Sequence, residues 1–357
     1  MRPLVIGTRG SKLALIQTDE VVAQLKDNHL QREIIVKRIR TGGDRYADAP
    51  LASLGLGIFI KEIEDELLSG EIDMAVHSLK DLTPLLPAGL AIGAICQRQD
   101  PRDVLINRWD CDVDGLPSGA RIGTSSLRRT AQLMAMSNKS LAIPIRGNVE
   151  TRIKKAFGDD YDGVLLAAAG VIRLGLQDYI SQYLSPATFV PAPGQGALAV
   201  EIRREDDDMA SILKPIDHLP TRRAVSAERA FLELIGGGCQ EPSAAYARVS
   251  GETMVMLAFI ASSDGRQVYI TKAQGSATNP DEVAMEAHQR LIEKGAELGC
   301  NDPYRRPRQP FIDQGGDQIL NLRSRYPVQA ERTKDRQNVY SEVCFITASS
   351  GWSDSCF

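Results

Sequence analysis

Short β-like runs alternate with amphipathic helical stretches through the first 200 of 357 residues, and this alternation constrains the fold more than any other feature. Leu4–Gly7 is apolar and leads through a loop into helical periodicity from Ser11 to Leu25, and Ile34–Arg38 reads as a second strand. In Phe59–Leu68 (FIKEIEDELL) the apolar residues at 59, 60, 63, 67 and 68 share one helical side; Ser69-Gly70 ends the run and Ile72–Val76 follows as a strand. Such strand–helix–strand order predicts a mostly parallel α/β sheet, because parallel neighbours need a crossover that a helix supplies.

The pattern occurs twice. Ile6-Gly7-Thr8-Arg9 opens the first helix, and Ile122-Gly123-Thr124-Ser125 opens another that runs to about Met136. Residues 61–76 (KEIEDELLSGEIDMAV) have a counterpart in 152–166 (RIKKAFGDDYDGVLL). Two matches in the same order predict two α/β domains of similar design. The stiff segment Pro191-Ala192-Pro193-Gly194-Gln195-Gly196-Ala197 reads either as a hinge between them or as an ordinary loop. After residue 218 the character changes. Arg222–Ile235 is helical and ends at Gly236-Gly237-Gly238; Thr253–Ala261 and Gln267–Ala273 flank the turn signal Asp264-Gly265; Asn279-Pro280 starts a last helix. This predicts a smaller α+β domain with antiparallel strands. The expected organisation is domain 1 at 1–96 with 197–217, domain 2 at 97–196, domain 3 at 218–299, and a weakly ordered extension at 300–357, where Pro, Gly and Arg break all periodicity.

Composition narrows the function. Net charge is −4, from 42 basic and 46 acidic side chains, so no overall positive excess marks a nucleic-acid or membrane-surface protein. No apolar run approaches the roughly 20 residues of a membrane span, and the apolar run in MRPLVIGTRG is too short for a signal peptide, which points to a cytoplasmic chain. His29, His77, His218 and His288 show no ligand spacing and the six cysteines contain no CxxC pair, so neither a metal site nor a disulfide framework is expected.

The arginines carry the chemistry. Arg9, Arg128, Arg129, Arg146, Arg152 and Arg173 all fall near the predicted C-terminal ends of strands, where open α/β sheets place their ligands. Guanidinium forks match carboxylates and helix N-termini favour anions, so six at equivalent positions point to a polyanionic ligand, either polycarboxylate or phosphate. Taken singly, each reads more readily as an arginine in an ordinary surface ion pair. In His77-Ser78-Leu79-Lys80-Asp81 a polar cluster closes an apolar strand; Asp81 there could act as general base, stabilise a cation, or merely cap a turn. Cys239 follows three glycines and reads as a reachable thiol or as a small hydrophobe in a tight turn.

Together these segments resemble the porphobilinogen deaminase (hydroxymethylbilane synthase) family. The matching stretches are GTRGSKLAL, RTGGD, IFIKEIE, DMAVHSLKDL, GTSSLRR, IRGNVETRI, LAAAGVIRLGL, PAPGQGALAVE and SAERAFLELIGGGC with a following P-S-A-A, in family order over about residues 3–299. The resemblance implies two domains like the halves of a type II periplasmic binding protein, plus a third that carries the cysteine loop. It implies a transferase that joins four porphobilinogens head to tail into hydroxymethylbilane and releases ammonia each time. It implies a dipyrromethane cofactor held by a thioether to Cys239. Carried over residue by residue, it gives Asp81 as the catalytic aspartate, stabilising the azafulvene cation left when ammonia departs. Cofactor contacts are expected from Ser78, Lys80, Asp81, Thr124, Ser126, Arg128, Arg129, Arg146, Gly147 and Asn148. Substrate contacts are expected from Arg9, Ser11, Phe59, Arg146, Arg152, Ala167, Arg173 and Gln195. The implied protein is a monomer that passes its product to uroporphyrinogen-III synthase. Two departures stand out: Gly55-Leu56-Gly57 replaces the family's common G-G-K-G and lacks its lysine, and residues 300–357 have no counterpart in the resemblance. Two rival readings rest on other classes, a carboxylate-binding module on the same scaffold and an enzyme with Cys239 as nucleophile.

Overall fold

Three sheets organise the chain. The computed structural model describes residues 2–28, 31–42, 60–137, 139–236, 242–262 and 265–296. Outside them lie Phe59, the 55–57 loop, Cys239, Asp264 and the 300–357 extension. The first sheet is built from β1 (Leu4–Arg9), β2 (Ile34–Ile39), β3 (Met74–Ser78), β4 (Leu90–Ile95) and β10 (Leu198–Arg203), in the order β2-β1-β3-β10-β4. The second is built from β5 (Asp103–Asn107), β6 (Arg121–Gly123), β7 (Leu141–Ile143), β8 (Gly163–Ala167) and β9 (Gln182–Tyr183), in the order β7-β6-β8-β5-β9. The two orders are the same pattern. In each, four strands run in one direction, and the fifth, second from one edge, is antiparallel to both neighbours and comes from the segment that has just crossed over from the other sheet. The sequence repeat is therefore a structural one, with β1 matching β6 and β3 matching β8.

Helices start where the strands end. Helix α1 (Lys12–Asp27) follows β1 and is capped by Ser11, whose Oγ accepts from Ala14 N at 3.2 Å. Helix α2 (Lys61–Ser69) precedes β3 and ends at Gly70, whose φ of 80° suits a glycine. Helix α3 (Leu127–Met136) is capped by Ser126, and α4 (Val149–Ala156) by Asn148, whose Oδ1 accepts from Thr151 N at 2.8 Å. Helix α5 (Ala168–Arg173) follows β8, and α6 (Asp207–Leu213) follows β10. Caps of this kind hold the first turn in place and leave helix N-termini at the strand ends. Strand β3 is buried along almost its whole length, so its polar residues at the end are delivered to the sheet edge by an apolar core.

The third sheet is an antiparallel meander of β11 (Ser243–Ser250), β12 (Thr253–Ala261) and β13 (Val268–Ser276), covered by α7 (Leu219–Leu234) and α8 (Pro280–Glu293). Its core is rich in alanine, with Phe231, Met254 and Met256 filling the space between helices and sheet. Helix α7 begins three residues earlier than the periodicity predicts. His218 caps it through Nδ1 and Pro220 sits in its first turn, where a missing N–H costs nothing. Among the described residues no helix is long and apolar enough to cross a membrane, and no cluster of three His, Cys, Asp or Glu side chains could hold a metal.

Two crossing segments, near 96–102 and 190–197, join the first two sheets, and they touch. A Cβ on Gly196 (φ +90°) would lie 2.4 Å from the Gln99 carbonyl oxygen, so only glycine lets the backbones approach this closely. Glu228 of α7, fully buried, ties both segments to the third sheet. It pairs with Arg98 at 2.6 and 3.1 Å, accepts from Gly194 N at 2.6 Å and accepts from Ala247 N at 2.8 Å.

Behind β3 lies a second buried polar group. His77 Nε2 is 3.1 Å from Glu201 Oε2, both side chains nearly inaccessible, and Glu64 lies close by. Burial and then the neighbouring Glu201 push the Glu64 carboxyl up to about 7. An acid raised on folding stabilises the folded state below its unfolded value and loses that contribution as pH rises through the folded one. Glu64→Gln is therefore expected to leave the melting temperature unchanged near pH 4 and to raise it at pH 8, as read by thermal melts across that range. Equal melting curves for the two proteins at pH 8 would refute the assignment.

Candidate active site: a cationic cleft between two sheets

A cleft of about 490 Å³ opens where the C-terminal ends of β1, β3 and β8 meet the N-termini of α1 and α4. That volume falls in the range of small-molecule sites. Seven cationic side chains line it (Arg9, Lys12, Lys80, Arg129, Arg146, Arg152 and Arg173) against two carboxylates, Asp81 and Glu150. The protein is acidic overall, yet this cleft is strongly basic.

The first sheet contributes Arg9 and Ser11 from the end of β1, and Ser78, Lys80 and Asp81 from the end of β3. Ser78 Oγ accepts from Gln17 Nε2 at 2.8 Å, which fixes the β3 end against α1. Leu79–Asp81 forms a single 3-10 turn with Leu79 buried as its anchor, so Lys80 and Asp81 are turned out towards the cleft. Lys80 remains exposed to solvent at the cleft, but the protein around it strips water from part of its ammonium. That desolvation pushes its ammonium down to about 8, with Asp81 opposing the shift and Arg129 and Arg128 adding to it. The second sheet contributes Arg129, Arg146, Gly147, Asn148 and Arg152, with Ala167 and Arg173 at the end of β8 and in α5. Burial lowers the Arg152 guanidinium below its ordinary value, and Arg129 and Arg146 lower it further. These cations are crowded against one another, which is the electrostatic state of a site built for anions.

Several expected contacts sit elsewhere. Arg128 is buried. It donates to Asp103 at 2.6 and 3.2 Å and to the Val190 carbonyl at 2.8 Å, and it lies over Phe189. It does not line the cleft. Thr124 and Ser126 do not line it either; Thr124 Oγ1 accepts from Ser126 N and Ser126 Oγ from Arg129 N, so both order the start of α3. Gln195 is buried as well, and its amide links the two halves. Its Oε1 accepts from Lys80 Nζ at 3.4 Å, and its Nε2 donates to Asp103 Oδ1 at 3.1 Å and to the Pro101 carbonyl at 2.8 Å. Phe59 and Cys239 lie outside the described residues.

Asp103 is the residue that the sequence did not single out. It has no exposed surface and accepts from Arg128, Arg129 and Gln195. Burial works to raise its carboxyl, but the two guanidiniums outweigh burial and hold it well below the usual carboxylate range. It fixes Arg129 from behind, through Nε at 2.9 Å and a terminal nitrogen at 2.7 Å, while Arg129 still reaches the cleft. Its only sequence signal is a carboxylate at the head of an apolar run, DVLIN.

Comparison with known proteins bears on this site directly. Residues 4–211 match the family model described as "Porphobilinogen deaminase, dipyromethane cofactor binding domain", and residues 222–293 match "Porphobilinogen deaminase, C-terminal domain". The porphobilinogen deaminase of Geobacillus sp. (strain WCH70) is 47% identical over 299 residues, covering 83% of this chain and 96% of the relative. That of Alkaliphilus metalliredigens (strain QYMF) is 46% identical over 297 residues, covering 83% and 94%. A solved YaeC-family lipoprotein from Enterococcus faecalis V583 shows a distant likeness, with 13% identity, a TM-score of 0.38, and coverage of 61% of this chain and 92% of its own. With the two family models spanning both α/β halves and the third sheet, and relatives of this identity matched over almost their whole length, the chain belongs to the porphobilinogen deaminase family.

Proposed function

We propose that this cleft holds the carboxylates of a dipyrromethane group tethered to Cys239, together with those of each incoming porphobilinogen, and that Asp81 drives the loss of ammonia. The family makes hydroxymethylbilane for tetrapyrrole biosynthesis, and its first domain is the one that binds the dipyrromethane cofactor. The observation that carries the reading is the set of seven cations around two carboxylates in one cleft, with Asp81 at the end of β3. A dipyrromethane built from two porphobilinogens brings four carboxylates, so the residues present fit it. When bound, that group supplies the terminal pyrrole carbon onto which each unit is added.

The residues divide the work by position. Arg129, Arg146 and Lys80, with the backbone at Gly147 and Asn148, hold carboxylates at the inner part of the cleft. Arg9, Ser11, Arg152 and Arg173 receive those of the incoming unit and of the growing chain. Asp81 lies beside Lys80, and its ionised carboxylate offsets the positive charge that develops on the substrate's pyrrole nitrogen as the C–N bond to ammonia breaks. A preorganised charge at that point lowers the barrier because it needs no reorientation during the reaction. Arg128 and Asp103 act one layer back, keeping Arg129 aimed. The segments 1–96 with 197–217, 97–196 and 218–299 act as three bodies. The enzyme is a transferase that works as a monomer in the cytoplasm and passes its product to uroporphyrinogen-III synthase; these assignments rest on the sequence resemblance.

Incubation of the purified protein with porphobilinogen tests the reading. The expected result is hydroxymethylbilane with four ammonia released per product molecule. Binding of porphobilinogen without ammonia release would mark a carboxylate-binding module and overturn it.

A further inference from the structure

The acidic partner of Arg173 lies on the other α/β unit. Arg173, in α5 of the second sheet's unit, donates through Nε to both carboxylate oxygens of Glu20, at 3.2 and 3.0 Å. Glu20 belongs to α1 of the first unit. Neither terminal nitrogen of Arg173 is hydrogen-bonded to Glu20; one of them, Nη2, donates over 3.4 Å to the Gly196 carbonyl in the returning crossing segment. The Arg173 side chain is only 4% exposed, yet the residue lines the cleft. An arginine has two edges that can grip a carboxylate, and here Glu20 occupies the Nε side. The other terminal nitrogen, together with the N–H of Nη2 not directed at Gly196, is left to grip a ligand carboxylate.

We infer that Glu20 is a positioning residue: it fixes Arg173 from the opposite unit so that the terminal fork faces carboxylates of the growing chain. The inference rests on the deaminase reading of the cleft. A long arginine side chain free in a cleft loses rotamer freedom when it grips a ligand; one already held by Glu20 loses less. The contact also spans the two units, so the aim of Arg173 depends on how closely α1 and α5 approach each other. A second cross-cleft pair, Lys12 Nζ to Glu150 Oε1 at 2.8 Å, joins α1 to α4, so α1 is tied to the second unit at its first residue and again at its middle.

The test compares Glu20→Ala, Glu20→Gln, Arg173→Leu and the double variant Glu20→Ala/Arg173→Leu with the parent. Each is supplied with limiting porphobilinogen, and the enzyme-bound chain lengths are read by intact mass alongside KM and kcat. Glu20→Ala is expected to accumulate the same bound intermediate as Arg173→Leu, with KM raised about tenfold. The double variant should be no worse than Arg173→Leu alone, because the two residues act as one unit. Glu20→Gln keeps an acceptor for Nε–H and should fall between parent and Glu20→Ala. A purely structural role would lower stability without moving the distribution of chain lengths. An Glu20→Ala distribution identical to the parent's, or effects of the two substitutions that multiply, would overturn the inference. A parent that forms no chain-length ladder at all would instead refute the deaminase reading on which it rests.

Discussion

Asp81→Asn is expected to fold like the parent and to slow ammonia release by about 10²–10³, the usual cost of removing one preorganised electrostatic partner from a transition state. The asparagine is the same size, and Asp81 stands at the open end of a 3-10 turn anchored by buried Leu79, so the substitution disturbs no packing. What changes is charge. An amide oxygen carries a dipole where the developing cation needs a full negative charge. Asp81→Glu keeps the charge but moves it by about one methylene, and partial activity with accumulation of enzyme-bound intermediates is expected, since a small misplacement in a site can cost about 10²-fold. Single-turnover ammonia release at saturating porphobilinogen checks both. Parental rates for Asp81→Asn would make Asp81 structural and the proposed mechanism wrong.

Glu228→Ala carries the largest expected cost in stability. Glu228 is fully buried and joins Arg98, the Gly194 amide and the Ala247 amide, so one carboxylate holds both crossing segments to the third sheet. Removing it strands the Arg98 guanidinium, whose Nε also donates to the Gln195 carbonyl at 2.7 Å. Breaking a buried pair from one side typically costs about 3–5 kcal/mol, more than the pair itself contributes over an apolar substitute. The effect should spread to the cleft, because Gln195 of the same segment contacts both Lys80 and Asp103. Urea denaturation should show the loss as a lower midpoint, with Glu228→Gln retaining part of the stability through its remaining acceptor. A midpoint equal to the parent's would show that the node does not hold the segments.

The doubled α/β pattern was legible because it is local: strand, glycine-containing turn and capped helix follow one another within about 20 residues at both 4–27 and 121–136. The two antiparallel strands were not. LAVEIR (198–203) and DVLIN (103–107) read as apolar runs, and nothing in an apolar run names a partner more than 50 residues away. The arginines show the same limit at the site. Arg128 and Arg129 look alike in GTSSLRR, but successive helical residues point about 100° apart. Both reach Asp103, and only Arg129 also reaches the cleft. Gln195 read as part of a hinge or an ordinary loop, and by resemblance as a substrate contact; its place between Lys80 and Asp103 depends on the close passage of two crossing segments that only folding brings together. A polyanion site was legible in the spacing of arginines at strand ends, because that spacing is what the sheet topology turns into one surface; the choice of polycarboxylate over phosphate came only with the family resemblance.

The intact mass of the purified protein, compared with that of Cys239→Ser, tests the central claim most directly. The account predicts that the parent is heavier than its sequence by two linked pyrrole units, that Cys239→Ser lacks the thioether-bound adduct, and that its activity falls severely. A parent at its bare sequence mass that nevertheless makes hydroxymethylbilane, or a Cys239→Ser protein with full activity and no adduct, would contradict it.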